Sequence, residues 1–179
     1  MLDRLHDDIR TALETDPAAT SRVEALLYPG LHAVWAHIFL CHPLWTRGFR
    51  LTARAISQWV RWLTGVEIHP GATLGERVFI DHGMGVVVGE TASIGDDVNM
   101  YHGVTLGGKS SERVKRHPTV KSGVTLGANA TLIGDITVGE GATVGAGAVV
   151  TDDIPSGATV AGNPARRVDE NADVELAPS

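Results

Sequence analysis

From residue 68 onward the chain repeats itself every six residues. In register it reads Ile68-His-Pro-Gly-Ala-Thr, Leu74-Gly-Glu-Arg-Val-Phe, Ile80-Asp-His-Gly-Met-Gly, then Val86; Ile94-Gly-Asp-Asp-Val-Asn, Met100-Tyr-His-Gly-Val-Thr, Leu106-Gly-Gly; and Val120, Leu126, Leu132, Val138, Val144 and Val150 open the later units. Every unit opens on an aliphatic residue or Met, and small or aliphatic residues recur four places later, as at Ala72, Val78, Val98, Val104, Val124 and Ala130. A period of six is neither the 3.6 of a helix nor the 2 of a strand. A short strand plus a turn satisfies it, with the opener pointing inward and stacking on its counterpart in the next coil. Gly or Asn serves the turns because both tolerate positive φ. The pattern predicts a parallel β-helix, whose repeats bury their apolar face only by stacking. The register slips twice. Val86 to Ile94 is eight residues, read as a two-residue insertion, and Leu106 to Val120 is fourteen, one hexad plus an eight-residue excursion.

The first part of the chain has a different grammar. Seven of the nine aromatic residues lie before Gly65, whereas nineteen of the 21 glycines lie from Gly65 onward. Leu2, Leu5, Ile9 and Leu13 share one helical face, and Asp16-Pro17 ends that helix because the residue before proline is pushed out of the helical region. Further helical segments are expected over Val23–Leu27, Leu31–Cys41 and Phe49–Leu63. In the last, Leu51, Ala55, Trp59 and Leu63, widened by Ile56, form one stripe. The aromatic residues, including Trp35, Trp45, Trp59 and Trp62, read as core packing. The chain divides into a helical region 1–64, a β-helix 65–168 with an excursion loop 109–117, and a flexible acidic tail 169–179. The fold class is α+β.

Composition narrows the function. With 15 Lys+Arg against 21 Asp+Glu, the net charge of −6 argues against nucleic-acid binding. The single cysteine, Cys41, cannot form an internal disulfide, and the charged start lacks a signal core, so a cytoplasmic location is expected. Residues 25–46 carry no Asp, Glu, Lys or Arg, but Pro29, Gly30, Pro43 and three histidines interrupt them, so no membrane span is expected. No Walker or dinucleotide fingerprint is present, because the GxG strings fall inside hexads.

The hexads resemble the left-handed β-helix acyltransferases, and particular strings sharpen the match. Gly65-Val-Glu-Ile-His-Pro70, Ile80-Asp-His-Gly-Met-Gly-Val-Val-Val-Gly-Glu-Thr91, Val104-Thr-Leu-Gly-Gly108, Arg116-His-Pro118, Asp16-Pro-Ala18 and Leu31-His-Ala-Val-Trp-Ala-His37 closely resemble the serine O-acetyltransferase family. The resemblance covers about residues 1–168. It implies a left-handed helix with three hexads per triangular coil, trimers that bind acetyl-CoA between subunits, and transfer of the acetyl group to L-serine, the entry step to cysteine. A hexamer of paired trimers is the alternative assembly, and cysteine is the implied feedback inhibitor. No permanently bound cofactor is implied; acetyl-CoA is a co-substrate.

The resemblance assigns His82 as general base, oriented by Glu67, which lies one coil earlier near the same corner. A histidine has the pKa for this work, and a carboxylate within reach fixes its tautomer. Asp16 and Asp81 resemble the pair that holds the substrate ammonium, and Arg116 and His117 those that hold its carboxylate, a task for which Arg is suited. Gly107, Gly108, Ala128 and Ala146 resemble the small positions along the pantetheine arm. Acetyl transfer to homoserine, a sugar or another hydroxyl is the rival within the fold; a non-catalytic or metal-binding β-helix is the rival outside it. His82 and His102 share one hexad place a coil apart, but a catalytic zinc needs three protein ligands. His69 is out of phase and His117 is on the excursion, so no metal is expected.

The chain departs from the family pattern in three places. Lys109-Ser110-Ser111 replaces the usual Thr-Gly, Ile38 stands where Arg is common, and the chain ends in Ser179 rather than the Ile through which members dock into their partner sulfhydrylase. That complex is therefore not expected. The helical region is also short beside members that join trimers into hexamers through extra N-terminal helices.

Overall fold

The computed structural model describes residues 2–168; the tail 169–179, with its expected flexibility and its Ser179 terminus, lies outside the described residues. Helix α1, Leu2–Thr15, stops one residue before Asp16-Pro17. Helix α2, Arg22–Ala25, is capped by Ser21, whose side chain accepts from the Glu24 N–H, while the Glu24 carboxylate accepts from the Thr20 N–H at 2.8 Å. Helix α3, Pro29–Ala36, opens on the proline, whose fixed φ suits the first helical position. The expected single helix over Leu31–Cys41 is instead α3 followed by a π turn, His37–Cys41, and then α4, His42–Thr46. Helix α5, Arg50–Thr64, ends at Gly65, which adopts φ 75°.

The stripe expected to bury α5 faces outward. Leu51 is 85% exposed, Trp59 67%, Trp62 77% and Leu63 64%, and the buried positions are the small ones, Ala53, Ser57 and Thr64. Small residues let α5 sit close against α3 and the first coil, so the core reading of Trp59 and Trp62 is corrected. Trp35 and Trp45 are half-buried.

Beyond Glu67 the chain winds into a triangular prism of three sheets. Sheet I stacks Glu67–Ile68, Val87–Val88, Thr105–Gly107, Thr131–Ile133 and Val149–Val150. Sheet II stacks Thr73–Leu74, Ser93–Ile94, Thr119–Val120 and Thr137–Val138. Sheet III stacks Phe79–Ile80, Asn99–Met100, Thr125–Leu126, Thr143–Val144 and Thr159–Ala161, with Arg166–Arg167 added antiparallel. All other pairings between these strands are parallel, and openers align with openers: Ile80 with Met100, Ile94 with Val120, Val144 with Val160. Their side chains form one continuous core with the small residues of the fifth places.

Two details revise the sequence reading. Val88, not Val86, pairs with Ile68 and Leu106. The two extra residues therefore lie between Ile80 and Val88, in the corner that carries His82. In most units the residue three places after the opener takes the left-handed conformation: Arg77, Asp97, Gly103, Gly123, Asn129, Gly141 and Gly147. The glycine directly after the opener has another reason to be glycine. A Cβ on Gly127 would lie 2.6 Å from the Ala146 nitrogen, so this place is kept bare by the approach of the next coil.

Candidate active site

The two breaks in the repeat fall on two different edges of the prism. The two-residue insertion enlarges the corner between sheets III and I, and the excursion leaves the corner between sheets I and II. Each carries part of the expected site.

On the first edge His82 adopts φ 60°, at a hexad place where the other described residues with positive φ, Gly134 and Gly162, are glycines, and Gly83 and Gly85 continue the turn beside it at φ 71° and 80°. Left-handed backbone disfavours a side chain and persists where the surroundings impose it. Here it turns the imidazole outward, 68% exposed, with Nε2 3.5 Å from Asp81 Oδ2. The edge continues as a ladder: Gly103 N–H donates to Met84 O, Asn129 N–H to His102 O, and Gly147 N–H to Ala128 O, at 2.9, 2.8 and 2.8 Å. Thus His82, His102, Ala128 and Ala146 follow one another up a single edge. The rings of His82 and His102 are 5.8 Å apart.

Helix α1 delivers Asp16 to this edge. Its anchor is Asp8, buried and accepting from Arg4 Nε at 2.9 Å and from Trp35 Nε1 at 2.9 Å, while Arg4 also donates to Gly75 O at 2.8 Å. Asp16 accepts from the Ala18 N–H at 2.8 Å and from the Tyr28 hydroxyl at 2.5 Å, and Tyr28 stacks on Phe79. The Tyr28 hydrogen bond, then that from Ala18, holds the Asp16 carboxyl below its usual range, with nearby His82 adding to the effect. The same hydrogen bond, with burial and the charges of Asp16, Glu24 and Asp81, pushes the Tyr28 phenol up to about 12. Asp16 and Asp81 beside a neutral phenol make a site suited to a cation.

On the second edge the excursion folds back over the corner. Arg116 Nη2 lies 3.2 Å from Glu90 Oε2, Nη1 donates to Ser110 O at 3.0 Å, and Nε is buried without a partner. His117 is 7% exposed, and its Nδ1 accepts from the Thr91 N–H at 3.2 Å. Burial, with the neighbouring Arg116 and Lys115 charges, lowers its pKa. Gly89 and Gly108 leave the room for this ring; a Cβ on Gly108 would sit 3.1 Å from His117 Nε2. Trp45, Arg50, Glu90, Thr91 and Arg116 line a cleft of about 690 Å³ here.

The structure therefore brings Asp16, Asp81 and His82 together with Ala128 and Ala146 above them, and separately gathers Arg116, His117, Gly107 and Gly108. Among the described residues no hydrogen bond or ion pair joins the two groups. The expected Glu67–His82 contact is not formed: Glu67 pairs with Arg61 at 3.0 Å and Arg54 at 3.8 Å, and the carboxylate beside His82 is Asp81. Among the described residues no group of three His, Cys, Asp or Glu is arranged to hold a metal ion. Sequence reasoning missed Tyr28, Glu90 and Trp45. Glu90 lay inside a quoted string, whereas nothing in the spacing of Tyr28 and Asp16 links them.

A prism of stacked hexads with a histidine and carboxylates on its edge defines the hexapeptide-repeat acyltransferases, and the family model described as bacterial transferase hexapeptide (six repeats) matches residues 117–152. The chain is 53% identical over 172 residues to the serine acetyltransferase of Mycobacterium tuberculosis, covering 96% of this chain and 75% of that protein. The crystal structure of serine acetyltransferase from Neisseria gonorrhoeae superposes with TM-score 0.90 at 39% identity, covering 94% of this chain; this chain spans 64% of that one, just under two thirds. That from Brucella abortus in complex with coenzyme A gives TM-score 0.90 at 39% identity, covering 93% of this chain and 67% of that one. Solved relatives of the same name are complexed with serine or with cysteine. The chain belongs to the serine acetyltransferase family, and its prism is that family's left-handed β-helix. No described helix is long and apolar enough to cross a membrane.

Proposed function

We propose that His82 is the general base with which this chain transfers the acetyl group of acetyl-CoA to the hydroxyl of L-serine, giving O-acetyl-L-serine and CoA. The observation that carries this reading is the left-handed, outward-turned His82 between Asp81 and the approach from Asp16. Asp16 and Asp81 bind the serine ammonium. The hydroxyl proton passes to His82, the oxygen attacks the thioester carbonyl directly, and the C–S bond breaks as the His82 imidazolium returns the proton to the thiolate. Asp81 is the carboxylate in reach of the imidazole, whereas Glu67 on the adjacent coil is held by Arg61 and Arg54.

Arg116 and His117 bind the serine carboxylate from a second subunit. The reason is geometric: one chain displays the ammonium half on one edge and the carboxylate half on another. A rotation that sets the first edge of one subunit against the second edge of the next completes a site, and repeated three times it closes into a trimer. The pantetheine arm then runs in the cleft between subunits, over Ala128 and Ala146 on one side and Gly107 and Gly108 on the other. The exposed apolar face of α5 supports assembly, and hexamers would pair trimers through the helices. Cysteine, which carries the same ammonium and carboxylate as serine, would inhibit by occupying the same halves. The division into a helical region 1–64 and a catalytic β-helix 65–168 follows from these roles. A panel of serine, homoserine and a sugar, followed by release of free thiol, tests the acceptor; serine should be preferred over homoserine, and a better sugar acceptor would overturn the assignment.

A further inference from the structure

We infer that the Asn129 carboxamide binds the pantetheine arm of acetyl-CoA, its Nδ2–H donating to the carbonyl oxygen of the amide nearest the sulfur. The inference rests on the reading of His82 as base and of Ala128 and Ala146 as the path of that arm. Among the described residues four that are not glycine take left-handed backbone: Arg77, His82, Asp97 and Asn129. Arg77 and Asp97 lie at the corner between sheets II and III and partner each other, Arg77 Nη2 donating to Asp97 Oδ2 at 2.7 Å. His82 and Asn129 stand on the first edge, whose other left-handed places are Gly83, Gly85, Gly103 and Gly147. His82 has its role as base. Asn129 is exposed, and its side chain makes no hydrogen bond to any described residue. Asn tolerates left-handed backbone better than most residues, so this place can carry a polar group at little conformational cost.

The direction of the side chain narrows what it meets. Met100 pairs with Leu126, so Gly103 and Asn129 hold the same place on successive coils. A Cβ on Gly103 would overlap Asn129 Oδ1. The carboxamide therefore lies down the edge, over bare Gly103 and towards His82, and Nδ2 is the end left to the open side. Coils are about 4.8 Å apart, which sets the amide roughly one coil above the base. In acetyl-CoA a two-carbon link joins the sulfur to the first amide, so that amide begins about 5 Å from the thioester carbon at ordinary bond lengths. With the thioester carbon at His82 and the arm over Ala128 and Ala146, the first amide of the arm comes level with the Asn129 carboxamide. Its carbonyl gives up water on entering the cleft, and an unfilled N–H on the edge replaces that hydrogen bond. Asn129 takes no part in making or breaking bonds; it fixes how far the arm is inserted, and with it the height of the thioester beside the base.

The test compares full-length wild type, Asn129→Gly, Asn129→Asp and Ala146→Leu. Gly and Asp both suit the left-handed place, so the backbone is kept while the donor is lost. CoA affinity is measured by titration calorimetry, the affinity of 3′-phospho-ADP, the nucleotide without the arm, by displacement of CoA, and kcat and both KM values by thiol release. Asn129→Gly should weaken CoA and raise the acetyl-CoA KM about 3- to 10-fold, the worth of one hydrogen bond between neutral groups. The affinity for 3′-phospho-ADP, the serine KM and kcat should stay within about twofold. Asn129→Asp, which keeps the shape and an acceptor but has no N–H, should bind CoA no better than the Gly variant. Wild-type CoA affinity in either variant, or equal weakening of CoA and 3′-phospho-ADP, would overturn the role of Asn129. Ala146 is exposed, and Ala146→Leu, which fills the path of the arm, should weaken CoA about 10-fold or more; unchanged CoA affinity there would overturn the underlying reading of the path instead.

Discussion

The two active edges of the prism are built from the same hexad and differ in how the hexad is broken. On the His82 edge two residues are added, and the backbone absorbs them by forcing His82 and two neighbouring glycines into left-handed conformations. The side chain is thereby turned out to solvent. On the Arg116 edge the excursion between Gly108 and Pro118 is long enough to fold over, so His117 is buried and Arg116 is tied to Glu90. A short insertion strains the backbone and exposes a reactive group; a long one makes a small cover and buries its groups. In both cases the core beneath is undisturbed, since Val88 and Val120 return to register.

The largest expected effect breaks the first edge. His82→Ala should lower kcat about 10²–10⁴-fold with CoA binding retained, measured by free-thiol release and calorimetry; a mutant with most of its kcat would remove the base from this edge. Mixing His82→Ala chains with Arg116→Ala chains, assayed at serine well below the raised KM of the latter, sharpens the comparison further. If each site takes one edge from each of two subunits, an equal mixture reassembled together should recover about a quarter of the wild-type sites, and no recovery would place both halves in one chain.

Arg116→Ala alone should raise the serine KM about 10- to 100-fold, the worth of a charge-assisted hydrogen bond, with the acetyl-CoA KM little changed. Equal weakening of both substrates would assign the second edge to CoA. Tyr28→Phe probes the support of the first edge: losing one hydrogen bond to Asp16 should raise the serine KM about 2- to 10-fold and leave kcat near wild type. An unchanged KM would show that Ala18 alone orients Asp16.

Acid should affect the corner beneath the second edge. Burial pushes His37, which faces Ala72 O, His42 and His69, down to about 4, and His69, near Arg54, Glu67, Glu90 and His117, also to about 4. Both pKa values are lower in the fold than in the unfolded chain, so the unfolded state binds more protons between pH 6.5 and about 4. Stability from these groups is complete above that window and is lost as pH falls through it. Urea midpoints measured from pH 7.5 downward should decline across the window, and His37→Phe should flatten the decline.

Much of this was legible in the chain. The six-residue period carries the β-helix because one inward residue per unit has to stack on its counterpart; Arg116 and His117 stood out at the end of its excursion, and His82 and Asp81 through the motif that resembles the family's. The apolar stripe of α5 misled, since a helical period shows that a face is apolar but not what covers it. The two-residue slip was placed one unit late because Val86 and Val88 are both valines, and only strand pairing distinguishes which of them is the opener.

Local pattern thus determined the repeat, the helix ends at Asp16-Pro17 and Gly65, and the residue types available for chemistry, because each depends on backbone sterics and on apolar residues a few positions apart. The tertiary structure alone decided which of those residues meet. Asp16 reaches His82 because Asp8 locks α1 through Arg4 and Trp35, Glu67 is claimed by Arg61 and Arg54, and Arg116 lies on a different edge from the base. Those outcomes depend on how the helices pack and how the coils turn, and contacts between residues distant in sequence leave no period behind them.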